Sequence, residues 1–122
     1  MSRGDWRAAE EFAASWLRDR GWSILARNWR WHRLELDLVA RRGSTVAFVE
    51  VKMASAGSRT MVPQKLDRRK RDHISRAAAA FLAQRDITAD CRFDLAEVRG
   101  EPGSFSMSYM PSAFRPRGDY TV

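Results

Sequence analysis

Two short segments place charge inside otherwise apolar strands: Leu34-Glu35-Leu36-Asp37-Leu38 and, after a turn at Arg42-Gly43-Ser44, Phe48-Val49-Glu50-Val51-Lys52. Side chains on a strand alternate between faces. Alternation therefore predicts that Glu35 and Asp37 project together, that Glu50 and Lys52 project together, and that Leu36, Val49 and Val51 enter a core. Charge in such strands is costly unless it is paired, solvated or bound to metal. Three carboxylates and an ammonium on one surface point to chemistry.

The rest of the chain reads as one compact α/β domain over residues 1–114, with a disordered tail over 115–122. Asp5 can cap a first helix that runs to about Arg20 and stops at Gly21, with Trp6, Ala9, Ala13, Trp16 and Leu17 recurring on one side. Glu11 lies on the solvated side, one turn from Arg7. Glu10 instead falls inside the apolar arc, where it either faces the rest of the fold or sits at the core edge and bonds solvent or a backbone amide. Strands are expected at Trp22 to Arg27, Leu34 to Arg41 and Thr45 to Lys52, and their short connections favour an antiparallel meander. After a polar stretch from Ala54 to Arg59, Pro63 opens a second helix to about Gln84. Its buried stripe is Ile74, Ala77, Ala78, Phe81 and Leu82, with Lys70 in line with it and Arg69 and Arg71 splayed to either side. A fourth strand spans Cys91 to Arg99 and a weaker fifth about Ser104 to Met110, across the turn Gly100-Glu101-Pro102-Gly103.

Charge narrows the partners. Lys and Arg number 22 against 15 Asp and Glu, a net +7 that suits a phosphate-rich partner such as nucleic acid. An acidic membrane surface competes less well, because the longest apolar run, Ala77 to Ala83, is far short of the roughly 18 residues needed for a span. The N-terminal Met-Ser-Arg-Gly-Asp lacks a hydrophobic secretion signal, and a lone Cys91 cannot form an internal disulfide, so a cytoplasmic location is expected. Arg68, Arg69, Lys70 and Arg71 form a basic helix start suited to phosphate contact. Arg30, within Trp29-Arg30-Trp31-His32-Arg33, belongs to a mixed aromatic and basic segment of the kind that binds single strands, although one of its two Trp residues is expected to fill core.

Helix, three-strand meander, helix, strand is also the order of restriction-endonuclease-like nucleases. The segments Ala8-Ala9-Glu10 to Leu17, Ile24-Leu25-Ala26-Arg27-Asn28-Trp29-Arg30, Glu35-Leu36-Asp37-Leu38-Val39-Ala40, Phe48 to Lys52 and Arg92-Phe93-Asp94-Leu95 resemble the uncharacterised bacterial family of the YraN type. That family is similar to Holliday junction resolvases of the PD-(D/E)xK superfamily. The resemblance implies a three-layer fold with a mixed sheet of about five strands flanked by helices. It also implies Asp37 and Glu50 as metal ligands, Lys52 completing the catalytic motif, and Glu10 and Lys70 on further family positions. The family usually has Gly at the positions of Ala9 and Leu34, and Thr or Ser at that of Met53.

The residue types suit that chemistry. Mg²⁺ (or Mn²⁺) favours carboxylate oxygen and water, and can polarise a phosphodiester and help ionise a water. Lys52 can stabilise charge growing on phosphoryl oxygens. Two readings are open: a metal-dependent nuclease-like protein acting on or binding DNA, including branched structures, as a possible homodimer; or a non-catalytic nucleic-acid-binding module in which Lys52 pairs internally with Glu50 or Asp37. A third, an adaptor using the basic helix, has less behind it. His32 and His73 lack zinc spacing, and Cys91 reads as a structural thiol.

Overall fold

The computed structural model describes residues 3–54 and 68–114. The expected helix start at Pro63, the polar stretch beyond Ala54 and the tail from 115 lie outside them. The elements are α1 (Arg3–Asp19), β1 (Ser23–Trp31), β2 (Leu34–Arg42), β3 (Thr45–Ala54), α2 (Arg68–Gln84), β4 (Asp90–Arg99) and β5 (Ser106–Phe114). Asp5 is not the cap: it lies within the first turn of α1, where a carboxylate favours the positive end of the helix dipole.

The sheet order is β1-β2-β3-β4-β5. The first three strands form the expected antiparallel meander, β3 and β4 are parallel, and β5 returns antiparallel to β4. Only a crossover can join parallel neighbours, and α2 lies within it. The helices cover opposite faces, giving the three layers. On one face Ala9, Ala13, Ala14 and Leu17 of α1 pack on Leu38, Ala40, Ala47, Val49, Val51, Ala96 and Val98. The small alanines let that helix lie close to the sheet. On the other, Ile74, Ala77, Ala78, Phe81 and Leu82 of α2 meet Leu36, Val39, Val46, Phe48, Phe93, Leu95 and Phe114. Among the described residues no helix is long and apolar enough to cross a membrane.

Two local departures from regular backbone shape the α1 face. Gly21, at φ +89°, ends α1, with its own N–H on Arg18 O and Trp22 N–H on Leu17 O; this left-handed cap turns the chain sharply and buries Trp22 beneath α1. The second lies on β5, which runs four residues beyond its expected end because an edge strand tolerates Pro111. Register slips between Phe93 and Leu95, and Ser112, at φ +52°, turns its N–H onto Asp94 Oδ1 at 2.9 Å. Asp94 is fully buried and also accepts from Arg92 Nε and Nη2 and from the Tyr109 hydroxyl.

Candidate functional site

β2 and β3 are paired from Arg42↔Thr45 to Leu38↔Val49 and no further. Asp37 and Glu50 stand where the ladder opens into a fork. Asp37 bridges the gap by accepting the Val51 N–H at 2.8 Å on Oδ2. The side-chain alternation is reset at the same place. Leu36 and Leu38, two apart, pack in opposite cores, whereas Ala26 and Trp29, three apart, pack in the same one. Between the latter two, Asn28 has φ +47°, a left-handed conformation that Asn tolerates better than most residues. The β1–β2 register passes from Arg27↔Leu38 to Trp29↔Leu36, so the irregularity at Asn28 faces Asp37.

This reset corrects the expectation of four charges on one face, with Leu36, Val49 and Val51 in one core. Glu35 turns to the α1 side. There it pairs with Arg30 at 3.0 Å and lines a cleft of about 330 Å³ with Trp6, Arg7, Glu10, Asn28 and Arg30. Glu50 and Lys52 turn to the α2 side, where Glu50 Oε1 lies 3.2 Å from Lys70 Nζ and 3.8 Å from Lys52 Nζ. Asp37 joins the two sides. Its carboxyl is within hydrogen-bonding reach of Glu50 and senses the charge of Glu10.

The electrostatics are those of acids held together out of water. Asp37 and Glu50 are 7% and 6% exposed. Burial first, and then the neighbouring Glu50 charge, raise the Asp37 pKa to about 8, against the lowering influence of the Val51 N–H. Glu10 is 3% exposed, and burial raises its pKa too, although hydrogen bonds from Asn28 and Trp6 favour the ionised form. Asn28 Nδ2 donates to Glu10 Oε1 at 3.0 Å, while Oε2 is buried with no hydrogen-bond partner. A buried oxygen without a donor is unfavourable and marks a place for one, or for a cation.

A small hard cation suits this donor set. No group of three or more His, Cys, Asp or Glu side chains with metal-holding geometry occurs among the described residues. Mg²⁺, however, keeps several waters and is commonly held by one or two carboxylates, which the adjacent Asp37 and Glu50 provide.

The remaining expected residues are dispersed. Lys70 reaches the fork, but Arg68 and Arg69 are exposed and Arg71 lies over the Phe114 ring at 5.9 Å. Arg30 is exposed beside Glu35. Trp29 fills core against Phe81 at 5.3 Å, and Trp31 lies half-buried against His32. Cys91 is exposed at the start of β4 and is not the structural thiol expected. Sequence reasoning missed Asn28 as the partner of Glu10 and Trp6 as its neighbour in the cleft. An Asn in the middle of a β-run, where it is a poor strand former, is the one signal that could have found the reset.

A three-layer α/β domain with paired carboxylates at a strand fork is the class of protein this chain defines. The family described as "Uncharacterised protein family UPF0102" matches residues 9–98, and the chain belongs to it. It is 40% identical over 107 residues to a UPF0102 protein of Pseudomonas syringae pv. tomato, covering 86% of this chain and 84% of that one. It is 47% identical over 98 residues to one of Paramagnetospirillum magneticum, covering 75% and 74%. A Nitratidesulfovibrio vulgaris relative is 40% identical over 106 residues, covering 86% of this chain and 79% of its own. The YraN-type likeness is this family.

Proposed function

We propose that this protein is a metal-dependent nuclease-like protein that acts on DNA, including branched structures, in the cytoplasm. The observation that carries the reading is the fork itself: two buried carboxylates, Asp37 and Glu50, on neighbouring strands whose pairing ends where they stand. Such an arrangement is unfavourable without a proton or a cation between the acids. Asp37 and Glu50 would hold the ion, and Glu10 would complete the site from α1. A bound Mg²⁺ or Mn²⁺ would supply Lewis-acid activation of a phosphodiester and of water. Lys52 supports charge developing on phosphoryl oxygens, and Lys70 shares that work from α2. Arg30, Arg68 and Arg69 are exposed cations available to the strand. The resolvase likeness of the sequence adds the expectation of a homodimer reaching two strands.

One observation favours the second reading, a non-catalytic nucleic-acid-binding module. Both Lys52 and Lys70 approach the same Glu50 oxygen, so that carboxylate already has cations beside it. Incubation with labelled linear and branched DNAs in Mg²⁺, Mn²⁺ or EDTA separates the two. Metal-dependent cleavage that Asp37→Ala, Glu50→Ala and Lys52→Ala each suppress, with DNA binding retained, supports the enzyme. Binding without cleavage, weakening with salt by a log–log slope of roughly −0.7 to −0.9 per phosphate contact, supports the module.

A further inference from the structure

At the other end of β2, on the α1 face, a second cleft of about 350 Å³ is lined by Trp16, Arg20, Trp22, Arg42, Arg92, Tyr109 and Pro111. It is distinct from the fork. Arg42 lies five residues beyond Asp37, about 17 Å at 3.4 Å per residue. Its composition is unusual for a surface: guanidinium groups and aromatic rings alternate. Arg20 lies over the Trp16 ring at 3.7 Å, and Trp16 stacks on Tyr109 with centroids 4.6 Å apart. Arg42 and Arg92 lie over Trp22 at 4.5 and 5.1 Å.

The walls are fixed and the mouth is cationic. Asp94 holds Arg92 and Tyr109 from behind, and the cap at Gly21 sets Trp22 in the floor. That ion pair neutralises the charge of Arg92. Arg20 and Arg42 differ: each donates from Nη1 to a backbone carbonyl, Trp16 O and Arg20 O, and neither has a carboxylate partner among the described residues. A guanidinium has five N–H donors, so each retains several for an anion. Both are exposed. Stacked guanidinium planes are surfaces on which nucleobases pack, and their edges suit the bidentate capture of phosphate. A cleft of this size matches the lower end of small-ligand sites.

We propose that this cleft binds a nucleoside monophosphate unit, its base stacked on the Tyr109–Trp16–Arg20 group and its phosphate held by Arg42 and Arg20. The same chemistry is offered by a free nucleotide and by an unpaired nucleotide of a strand. Occupancy does not require the carboxylate fork.

Tryptophan fluorescence tests it directly, because Trp16 and Trp22 line the cleft. The protein, in EDTA, is titrated with deoxyadenosine 5′-monophosphate, inorganic phosphate and deoxyadenosine. Saturable quenching by the nucleotide is expected, with phosphate and nucleoside each weaker by about tenfold or more, since each supplies half of the recognition. The double variant Arg20→Ala/Arg42→Ala should lose at least about tenfold in nucleotide affinity. Arg20→Lys/Arg42→Lys, which keeps the charge but not the planar fork, guards against a folding defect and should weaken the nucleotide while sparing phosphate. Displacement of the nucleotide by a short single-stranded oligonucleotide identifies a strand as the source; lack of displacement identifies the free nucleotide. Absence of saturable quenching, equal affinity for phosphate alone, or unchanged binding by both double variants overturns the proposal. Asp37→Ala/Glu50→Ala should bind the nucleotide as the parent does, so loss of cleavage and loss of this site are separate results.

Discussion

Asp94 and Asp37 are both buried aspartates of one sheet, and their surroundings are opposite. Asp94 is surrounded by donors: the Arg92 guanidinium, the Tyr109 hydroxyl and the Ser112 N–H. Its charge is compensated, and the register slip in β5 delivers the last of those donors. Asp37 has one backbone donor and an acid for a neighbour. Burial alone therefore does not mark a site of chemistry here. What separates the two is whether the fold itself neutralises the buried charge. At Asp94 it does, and the result is a rigid wall; at Asp37 a proton or a cation must come from outside.

The comparison is broken most easily at Asp94. Asp94→Ala would leave Arg92 half-buried beside an empty space, with the Tyr109 hydroxyl and the Ser112 N–H unpaired. Removing one partner of a buried ion pair costs about 3–5 kcal/mol. Urea denaturation should show a loss of that size, with β5 and the tryptophan cleft disturbed together. A loss below about 1 kcal/mol would mean that Asp94 is not compensated by the fold in the way its contacts imply.

Asp37 should respond with the opposite sign. Its folded pKa, about 8, lies above the ordinary 3.8. The folded state therefore binds the proton more tightly, and the stabilisation this brings is complete below about pH 4 and lost as pH rises through 8. Asp37→Asn imitates the protonated acid permanently. In EDTA it should be more stable than the parent by on the order of 1–3 kcal/mol at pH 8 and nearly equal to it at pH 4. Millimolar Mg²⁺ should close the gap at pH 8 by stabilising the parent alone, because a ligand that binds only the native state adds to its stability. A variant less stable than the parent at pH 8 would place Asp37 with Asp94, as a structural acid.

The sequence made the layers legible, and the reason is periodicity. Apolar stripes in α1 and α2 and apolar runs in β2, β3 and β4 are long enough to specify one arrangement. The meander and the two helices came from it, whereas Glu10, Asp37, Glu50, Lys52 and Lys70 were drawn together as a site by the family resemblance. The fork did not, because strict alternation assumes an uninterrupted strand. A single left-handed residue, Asn28, resets the faces of β1 and β2 and sends Glu35 away from Glu50. The cleft at Trp16 and Trp22 was hidden for a different reason. Its residues come from the end of α1 and the turn that follows it, the end of β2, and from β4 and β5, and no spacing in the chain connects them.

Glu11 supplies the third case, a carboxylate whose charge the fold neutralises at the surface. Helical spacing predicts a plain solvated charge near Arg7. Instead Arg27 Nη1 donates to Oε1 at 2.7 Å and Arg18 Nη1 to Oε2 at 3.2 Å, linking α1 to β1. The hydrogen bond from Arg27 is the first cause of a pKa lowered to about 2 from 4.5, with Ser15 also contributing. A depressed carboxylate pKa stabilises the fold above about pH 4.5 and loses that contribution as pH falls toward 2. The energy at stake is small, because the Glu11 side chain is 52% exposed and water and salt screen the pair. A double-mutant cycle of Glu11→Gln and Arg27→Met at neutral pH should give a coupling below about 1 kcal/mol, shrinking in high salt. A coupling above about 2 kcal/mol would show that an exposed, compensated acid can rival a buried one, and that burial matters less to the contrast between Asp94 and Asp37 than the number of donors each receives.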